Sequence, residues 1–286
     1  MRILVTGAGG AIGGAATARL VEAGHDVRAL VREEDTPPDV DGVEVVRGDA
    51  TDPAAVAPAV DGADAVVHLA ATPAPLGRPE DVFVNNSCAT LVVLQYAAEA
   101  GVGRAVIASS VSALGLAWAR EVNSPAYVPI DEDHPFWPEE SYGLSKQVDE
   151  ATAAMIHRRF ELPILAYRFP YTTTAEALAE RAAQVRADPA EAVRELWAYL
   201  DVRDAAEAIR LGVESDVPGF HPVYVMAPDT LADRPTAELV ARYHPTSEVR
   251  TPLAGRQTPY VITRAEQLLG FHARHLVAGD RTGETN

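Results

Sequence analysis

One cysteine, Cys88, stands in the 286 residues of this chain. That excludes an internal disulfide and any cysteine-based metal cluster, and no metal site is expected. Cys88 lies in an apolar, helix-like stretch, where packing is its expected role. Cations are scarce as well: 24 Lys and Arg stand against 41 Asp and Glu, for a formal charge of −17. Nucleic acid and anionic membrane both need basic patches, so neither is expected as a partner. No apolar run approaches the ~20 residues that span a bilayer. A glycine-rich strand occupies the place of a signal peptide, so the expected location is cytoplasmic. Internal repeats are absent, and the length suits one large domain with a smaller appendage.

What is present begins at residue 2. Arg2-Ile-Leu-Val-Thr6 is a short apolar run of the kind that forms a buried parallel strand. It leads directly into Gly7-Ala-Gly-Gly10-Ala-Ile-Gly13, then a helix-like stretch from Ala15 to Ala23 that Gly24 stops. Strand, glycine-rich turn and helix in this order make a dinucleotide-binding unit. Gly7 permits the tight turn, Gly10 lets the backbone approach a pyrophosphate, and Gly13 allows close helix–strand packing. The helix amino terminus offers unpaired N–H groups to the phosphates, and Ala11 and Ile12, just ahead of it, are expected to contact the cofactor.

Tyr142-Gly-Leu-Ser-Lys146 places a phenol and an ammonium four residues apart. On a helix the two share one face, one turn apart. A free phenol titrates near pH ~10, too high to trade protons at neutrality. An ammonium close by favours the phenolate, and a dry site that also holds a cationic nicotinamide strengthens that preference.

Together, Gly7-x-x-Gly10-x-x-Gly13 and Tyr142-x-x-x-Lys146 resemble the extended short-chain dehydrogenase/reductases, the NAD-dependent epimerase/dehydratase family. The resemblance runs across most of the chain. Ala65-Val-Val-His-Leu-Ala-Ala71 is similar to the family's fourth strand, which implies that Leu69, Ala70 and Ala71 lie beside the nicotinamide ribose, with Thr72 expected at the substrate. Asn86-Ser-Cys-Ala-Thr90 resembles its Asn-x-x-Gly-Thr element, with alanine in the glycine's place, and implies a cofactor contact for Asn86. Val106-Ile-Ala-Ser-Ser110 resembles the fifth strand, and alignment through Gly115 gives Ser110 the catalytic serine's role, with Ser112 near the substrate. The implied mechanism has Ser110 and Tyr142 bonding the substrate oxygen, Tyr142 passing the proton, and Lys146 holding the ribose.

The alternation of strand and helix signals up to Phe169 predicts an α/β fold, a doubly wound parallel sheet. The expected strands after the first are Val27–Val31, Val43–Val46, Asp64–Leu69, Ala105–Ala108 and Ile164–Phe169. Residues 1–169 are read as the dinucleotide-binding Rossmann domain. Residues 170–286 are read mostly as a small substrate-binding subdomain, with some segments returning to the sheet. Thr172 to Ala198 is mostly helical in pattern, broken at Pro189; a strand follows at Val223–Met226, and Gly279–Asn286 reads as a disordered tail. His68 reads as a core histidine and His134 as part of a solvated loop.

The end of the second strand bears on the cofactor. NAD-specific folds place an acid there for the ribose hydroxyls, whereas an arginine accommodates the NADP phosphate. Aligned on the glycines, the acid's place is Val31, and Arg32 follows. A guanidinium grips a phosphate bidentately, so NADP is expected, with NAD possible because Glu33 and Glu34 oppose the phosphate. The resemblance gives Asp49, with Ala50 beside it, an adenine contact.

The substrate side departs from the sugar-nucleotide enzymes. Their asparagine after the sixth-strand arginine is replaced near Tyr171 in Arg168-Phe-Pro-Tyr-Thr-Thr-Thr174, and the carboxy-terminal half is short. Trp118, Tyr171, Arg168 and Arg203, with the Glu132 region, are expected around a small-molecule substrate. The expected function is an NAD(P)-dependent dehydrogenase or reductase of a small carbonyl or secondary alcohol. The alternatives are a sugar-nucleotide epimerase or dehydratase that retains its cofactor, and a non-catalytic dinucleotide sensor. Wide apolar faces at Asn86–Ala100 and along Leu144, Val148, Ala151 and Met155 predict a homodimer, which the resemblance describes as a four-helix bundle.

Overall fold

The computed structural model describes residues 1–277. The expected disordered tail at Gly279–Asn286 lies outside the described residues. The chain opens with β1 (Arg2–Thr6), α1 (Ala11–Glu22), β2 (Asp26–Val31), β3 (Glu44–Arg47), α2 (Pro53–Val60), β4 (Ala65–His68), α3 (Pro79–Glu99) and β5 (Arg104–Ser110). It continues through β6 (Tyr127–Val128), α4 (Ser141–Phe160), β7 (Ile164–Phe169), β8 (Tyr171–Thr173), α5 (Ala175–Ala187) and β9 (Tyr199–Asp201). The last elements are α6 (Val202–Glu214), β10 (Phe220–Tyr224), α7 (Thr236–Tyr243), β11 (Glu248–Val249) and α8 (Thr263–Leu269).

Seven strands form one parallel sheet in the order β10-β7-β5-β4-β1-β2-β3. Period-two alternation divides its side chains between two helical layers. Ile3, Val5, Val27, Ala29 and Val67 face α1 and α6, packing on Ala16, Leu20, Ala205 and Ile209. Leu4, Leu30, Val66 and Ile107 face the other way, onto Val56 of α2, Val93 and Leu94 of α3, and Ala153 and Ile156 of α4. Both faces are covered, which explains why these strands read as continuous apolar runs.

Helix starts depart most from the sequence expectation. α1 begins at Ala11, four residues ahead of the expected Ala15, with Gly13 and Gly14 inside it. Tertiary contact overrides glycine's poor helix propensity there: a Cβ on Gly13 would lie 2.1 Å from the Gly7 carbonyl oxygen. α3 starts at Pro79, well before Asn86, because proline suits the first helical position and Glu80 and Asp81 complement the helix dipole. β10 lies three residues upstream of the expected Val223, set by its pairing of Phe220 with Ile164. Pro222 is tolerated in it because β10 is an edge strand.

After β5 and β7 the chain leaves the sheet and builds a third apolar cluster. Leu114, Val128 and Ile130 from the segment after β5 meet Leu178, Val185, Trp197 and Tyr199 from the segment after β7 and Leu239 from the segment after β10. β8 pairs with β9 within the segment after β7, and β6 pairs with β11, joining the segment after β5 to the one after β10. α6 and β10 return to the sheet between the last two segments. Among the described residues no helix is long and apolar enough to cross a membrane, and no group of three or more His, Cys, Asp or Glu is placed to hold a metal.

Candidate active site

The carboxyl ends of β1, β4, β5 and β7 open into a cleft of about 830 Å³. It lies where the strand order departs in opposite directions from β1, the usual ligand crevice of a doubly wound sheet. Gly7 turns the chain out of β1 at φ 69°, and a Cβ there would stand 2.6 Å from the Ala70 nitrogen, so the turn and the end of β4 touch directly. Gly10 is the cap residue of α1. No side chain caps that helix, and its first turn carries no acid. The N–H groups beginning at Ala11 and Ile12 are therefore presented to the cleft at a positive helix end, which fits the pyrophosphate of a dinucleotide.

A histidine holds the opposite wall. Thr6 Oγ1 accepts from the Leu69 and Ala70 amides and contacts His68 Nδ1 at 2.8 Å, while His68 Nε2 meets Thr90 Oγ1 at 3.1 Å. Burial, then the Lys146 charge, pushes the His68 pKa down to about 3. It is a neutral, fully bonded core residue that locks the ends of β1 and β4 together. His134 is also buried, not part of a solvated loop: its Nε2 accepts from the Ala126 amide and its Nδ1 donates to the Pro135 carbonyl.

At the far end of the cleft lie Arg32, Asp49 and Ala50. Arg32 donates to both Asp35 carboxylate oxygens, at 3.0 and 3.1 Å, and Glu34 lies at 3.4 Å. Asp49 accepts from the amide and hydroxyl of Thr51, which fixes its turn. Arg47, unremarked in the sequence, binds the carbonyls of Arg32 and Asp35 at 2.7 Å and shapes this loop.

The middle of the cleft gathers Ser110, Ser112, Tyr142 and Lys146. Ser110 ends β5, and its Oγ accepts from the Ser112 amide at 3.0 Å, turning the chain. α4 starts beside this turn because Glu140 accepts from the amides of Tyr142 and Gly143, both at 2.6 Å. Gly143 is sterically required: a Cβ would stand 2.6 Å from the Ser112 carbonyl oxygen, so helix and serine turn pack backbone to backbone. Lys146 Nζ sits 5.9 Å from the Tyr142 ring centre and donates to the Ala108 carbonyl at 2.8 Å and to Asp149 at 3.1 Å. It is the chain's one lysine. Burial opposes its charge, but Asp149, then Tyr142, prevail and raise its pKa, so it stays an ammonium. The arrangement sets a phenol beside a fixed positive charge at the edge of a dinucleotide-sized cleft, which suits proton transfer.

Of the other residues expected here, Leu69, Ala70, Ala71, Thr72, Trp118 and Tyr171 line the cleft. Asn86, Arg168 and Arg203 do not. Asn86 is fully buried, binding the Thr72 amide and carbonyl and the Ser145 hydroxyl, so it positions the loop from behind. Arg168 is buried and grips Glu150 through two bonds of 2.8 Å, with Glu132 O as a third partner. Glu132 sits in that cluster, paired with Arg264, and away from the cleft wall. Arg203 is folded back on Asp201 by two bonds, at 2.7 and 2.8 Å. Two residues escaped the sequence reading. Glu140, the cap of α4, carries a local signal, an acid just before a helix, whereas Glu195 joins the cleft wall from a distant segment with no such signal.

The sequence model of the NAD dependent epimerase/dehydratase family matches residues 3–226. The NAD-dependent glucose-6-phosphate dehydrogenase of Haloferax volcanii is 30% identical over 223 residues, covering 75% of this chain and 80% of its own length. The L-arabinose 1-dehydrogenase (NAD(P)(+)) of the same organism is 30% identical over 222 residues, covering 76% and 84%. A crystal structure of an Agrobacterium tumefaciens short-chain dehydrogenase/reductase superfamily protein with bound NAD superposes with a TM-score of 0.72, at 26% identity over 96% of this chain and 93% of that one. The uncapped glycine turn, the tyrosine and lysine on one helix and these matches make this chain a member of the NAD dependent epimerase/dehydratase family, the extended short-chain dehydrogenase/reductases.

Proposed function

We propose that this chain is a cytoplasmic NAD(P)-dependent dehydrogenase or reductase acting on a small carbonyl or secondary alcohol. The observation that carries this reading is the presence of Ser110, Tyr142 and Lys146 in the same cleft as the uncapped start of α1. When bound, the nicotinamide supplies the hydride acceptor or donor. Ser110 orients the substrate oxygen by a hydrogen bond, Tyr142 exchanges a proton with it, and the Lys146 ammonium holds the ribose hydroxyls. The glycine turn, Asp49 and the Leu69–Ala71 wall hold the rest of the dinucleotide.

An epimerase or dehydratase is the second reading, since the family includes both. The placement of this chain's cations weighs against it: neither Arg168 nor Arg203 lines the cleft, where a clamp for a nucleotide diphosphate would have to stand. Incubation with oxidised cofactor and substrate decides between them. Reduced nicotinamide accumulating in solution, seen by its absorbance, supports the dehydrogenase. Turnover without such accumulation, with micromolar UDP or TDP binding, moves the epimerase to first place.

NADP is the cofactor we propose. Arg32 is half-exposed and its acidic partners Glu34 and Asp35 are exposed too, at 67% and 39%. Such surface pairs are worth ~0–1 kcal/mol, less than the ~1.5–3 kcal/mol of a charge-assisted bond to a phosphate, so the exchange favours the ligand. Arg32→Ala is expected to weaken NADP(H) about 10–150-fold and leave NAD(H) nearly unchanged. Equal loss for both cofactors in a fluorescence titration contradicts the assignment.

A homodimer is proposed through α3 and α4. Their inward residues Val93, Leu94 and Ile156 are buried, yet Val84, Leu91 and Leu144 stay exposed on the outer surface. Light scattering at micromolar concentration should give twice the 30.4 kDa chain mass. A monomeric mass rejects the pairing.

A further inference from the structure

The substrate end of the cleft is bounded by Ser112, Ala117, Trp118, Tyr171, Thr172 and Glu195. Among the described residues that line the whole cleft, the basic side chains are Arg32 and Lys146. Arg32 lies beyond the end of β2, at the opposite extreme, and Lys146 is bound to Asp149 and Ala108. The substrate end therefore carries one formal charge, and it is negative.

Glu195 has no cation within ion-pairing distance among the described residues. Arg181 and Arg194 act on it through space, but each is committed elsewhere. Arg181 serves the Glu191 carbonyl, the Glu191 carboxylate and Gln184. Arg194 serves the carbonyls of Ala119, Arg120 and Glu121. Burial holds the Glu195 carboxyl above the usual carboxylate range, with its own amide and these arginines acting in the opposite direction.

The backbone presents this carboxylate at some cost. Leu196 and Trp197, the two residues after it, adopt left-handed conformations at φ 53° and 58°. That reversal lets both neighbours be fully buried while Glu195 stays on the cleft wall. Trp197 anchors the turn: its indole N–H donates to the Pro189 carbonyl at 2.7 Å, its amide donates to the Ala192 carbonyl at 3.0 Å, and its carbonyl accepts from the Leu231 amide at 3.0 Å.

We propose that Glu195 determines specificity by accepting hydrogen bonds from hydroxyl groups of an uncharged polyhydroxylated substrate, and that it rejects analogues carrying a carboxylate or phosphate. The proposal rests on the dehydrogenase reading above and names its substrate class. An acceptor with two oxygens suits adjacent hydroxyls, the serine and threonine hydroxyls complete a neutral polar wall, and Trp118 offers an apolar face for ring C–H groups. A second anion placed here would face Glu195 without a free cation to offset it.

The test compares L-arabinose and D-galactose with D-galacturonate and D-glucose 6-phosphate, using oxidised NADP and NAD and following nicotinamide absorbance. The parent protein is expected to oxidise the neutral sugars with kcat/KM at least about tenfold above either anion. Glu195→Gln should raise KM for the neutral sugars about tenfold, with most of the loss in KM, and narrow the gap to the anions. Unchanged NADPH affinity of the variant shows that the fold is kept. Preference of the parent protein for galacturonate or glucose 6-phosphate overturns the proposal by itself, with no variant needed. So does an unaltered KM and ranking in Glu195→Gln, or tight cofactor binding with no oxidation of either neutral sugar. Failure to bind either cofactor rejects the underlying dehydrogenase reading instead.

Discussion

Replacing Tyr142 by phenylalanine is expected to cut turnover about 10²–10⁴-fold while leaving the fold and cofactor affinity nearly intact. The chemical reason is the loss of one O–H at the point where the substrate oxygen gains or releases a proton. The structural reason for expecting a clean result is that no described residue hydrogen-bonds the Tyr142 hydroxyl. Its removal strands no buried partner, so the usual penalty for an unpaired polar group does not arise. The ring itself stays buried at the start of α4, where Tyr142 is 8% exposed. Steady-state kinetics on an accepted substrate, paired with NADPH titration and a melting curve, make the check. Turnover within a few-fold of the parent would falsify the assignment of Tyr142 as the proton-transfer group.

Glu150→Ala is expected to lower stability by about 3–5 kcal/mol, the largest effect on folding that the site's surroundings offer. Glu150 accepts two bonds from Arg168 and one from the Ser109 hydroxyl at 2.6 Å. It thereby joins α4, β7 and the end of β5 directly behind Ser110 and Lys146. Arg168 is also stacked against Phe136 and Tyr224, with its guanidinium carbon 4.7 and 5.2 Å from their ring centres. Burial works against the guanidinium charge, but Glu150 outweighs it and raises the Arg168 pKa. Without Glu150 the charge stays and its partner is gone. The double variant Glu150→Leu with Arg168→Met should cost less than Glu150→Ala alone, because it removes the orphaned charge along with its partner. Urea unfolding of the three proteins measures both statements. A loss under about 1 kcal/mol in Glu150→Ala means that the pair is replaceable and that packing alone aligns the three elements.

The features that the amino-acid order determined by itself are those whose physical requirement is local. The turn after β1 needs left-handed backbone at Gly7 and no side chain at Gly13, and both demands are met within a dozen residues of chain. The pairing of Tyr142 with Lys146 follows from helical spacing alone. β7 was readable to the residue because a strand buried on both faces is a bounded apolar run. Tertiary structure decided what depends on partners distant in the chain. Arg168 and Arg203 look like free cations in the sequence, and only the fold shows each bound to an acid. Asn86 carries a recognisable motif, but its amide is spent on Thr72 and Ser145, one of them on another helix. Glu195 is the converse case: an ordinary acid among alanines becomes part of the cleft because two left-handed residues and a buried tryptophan turn it there. Charge pairing and desolvation act through space, so the sequence contains those outcomes without displaying them.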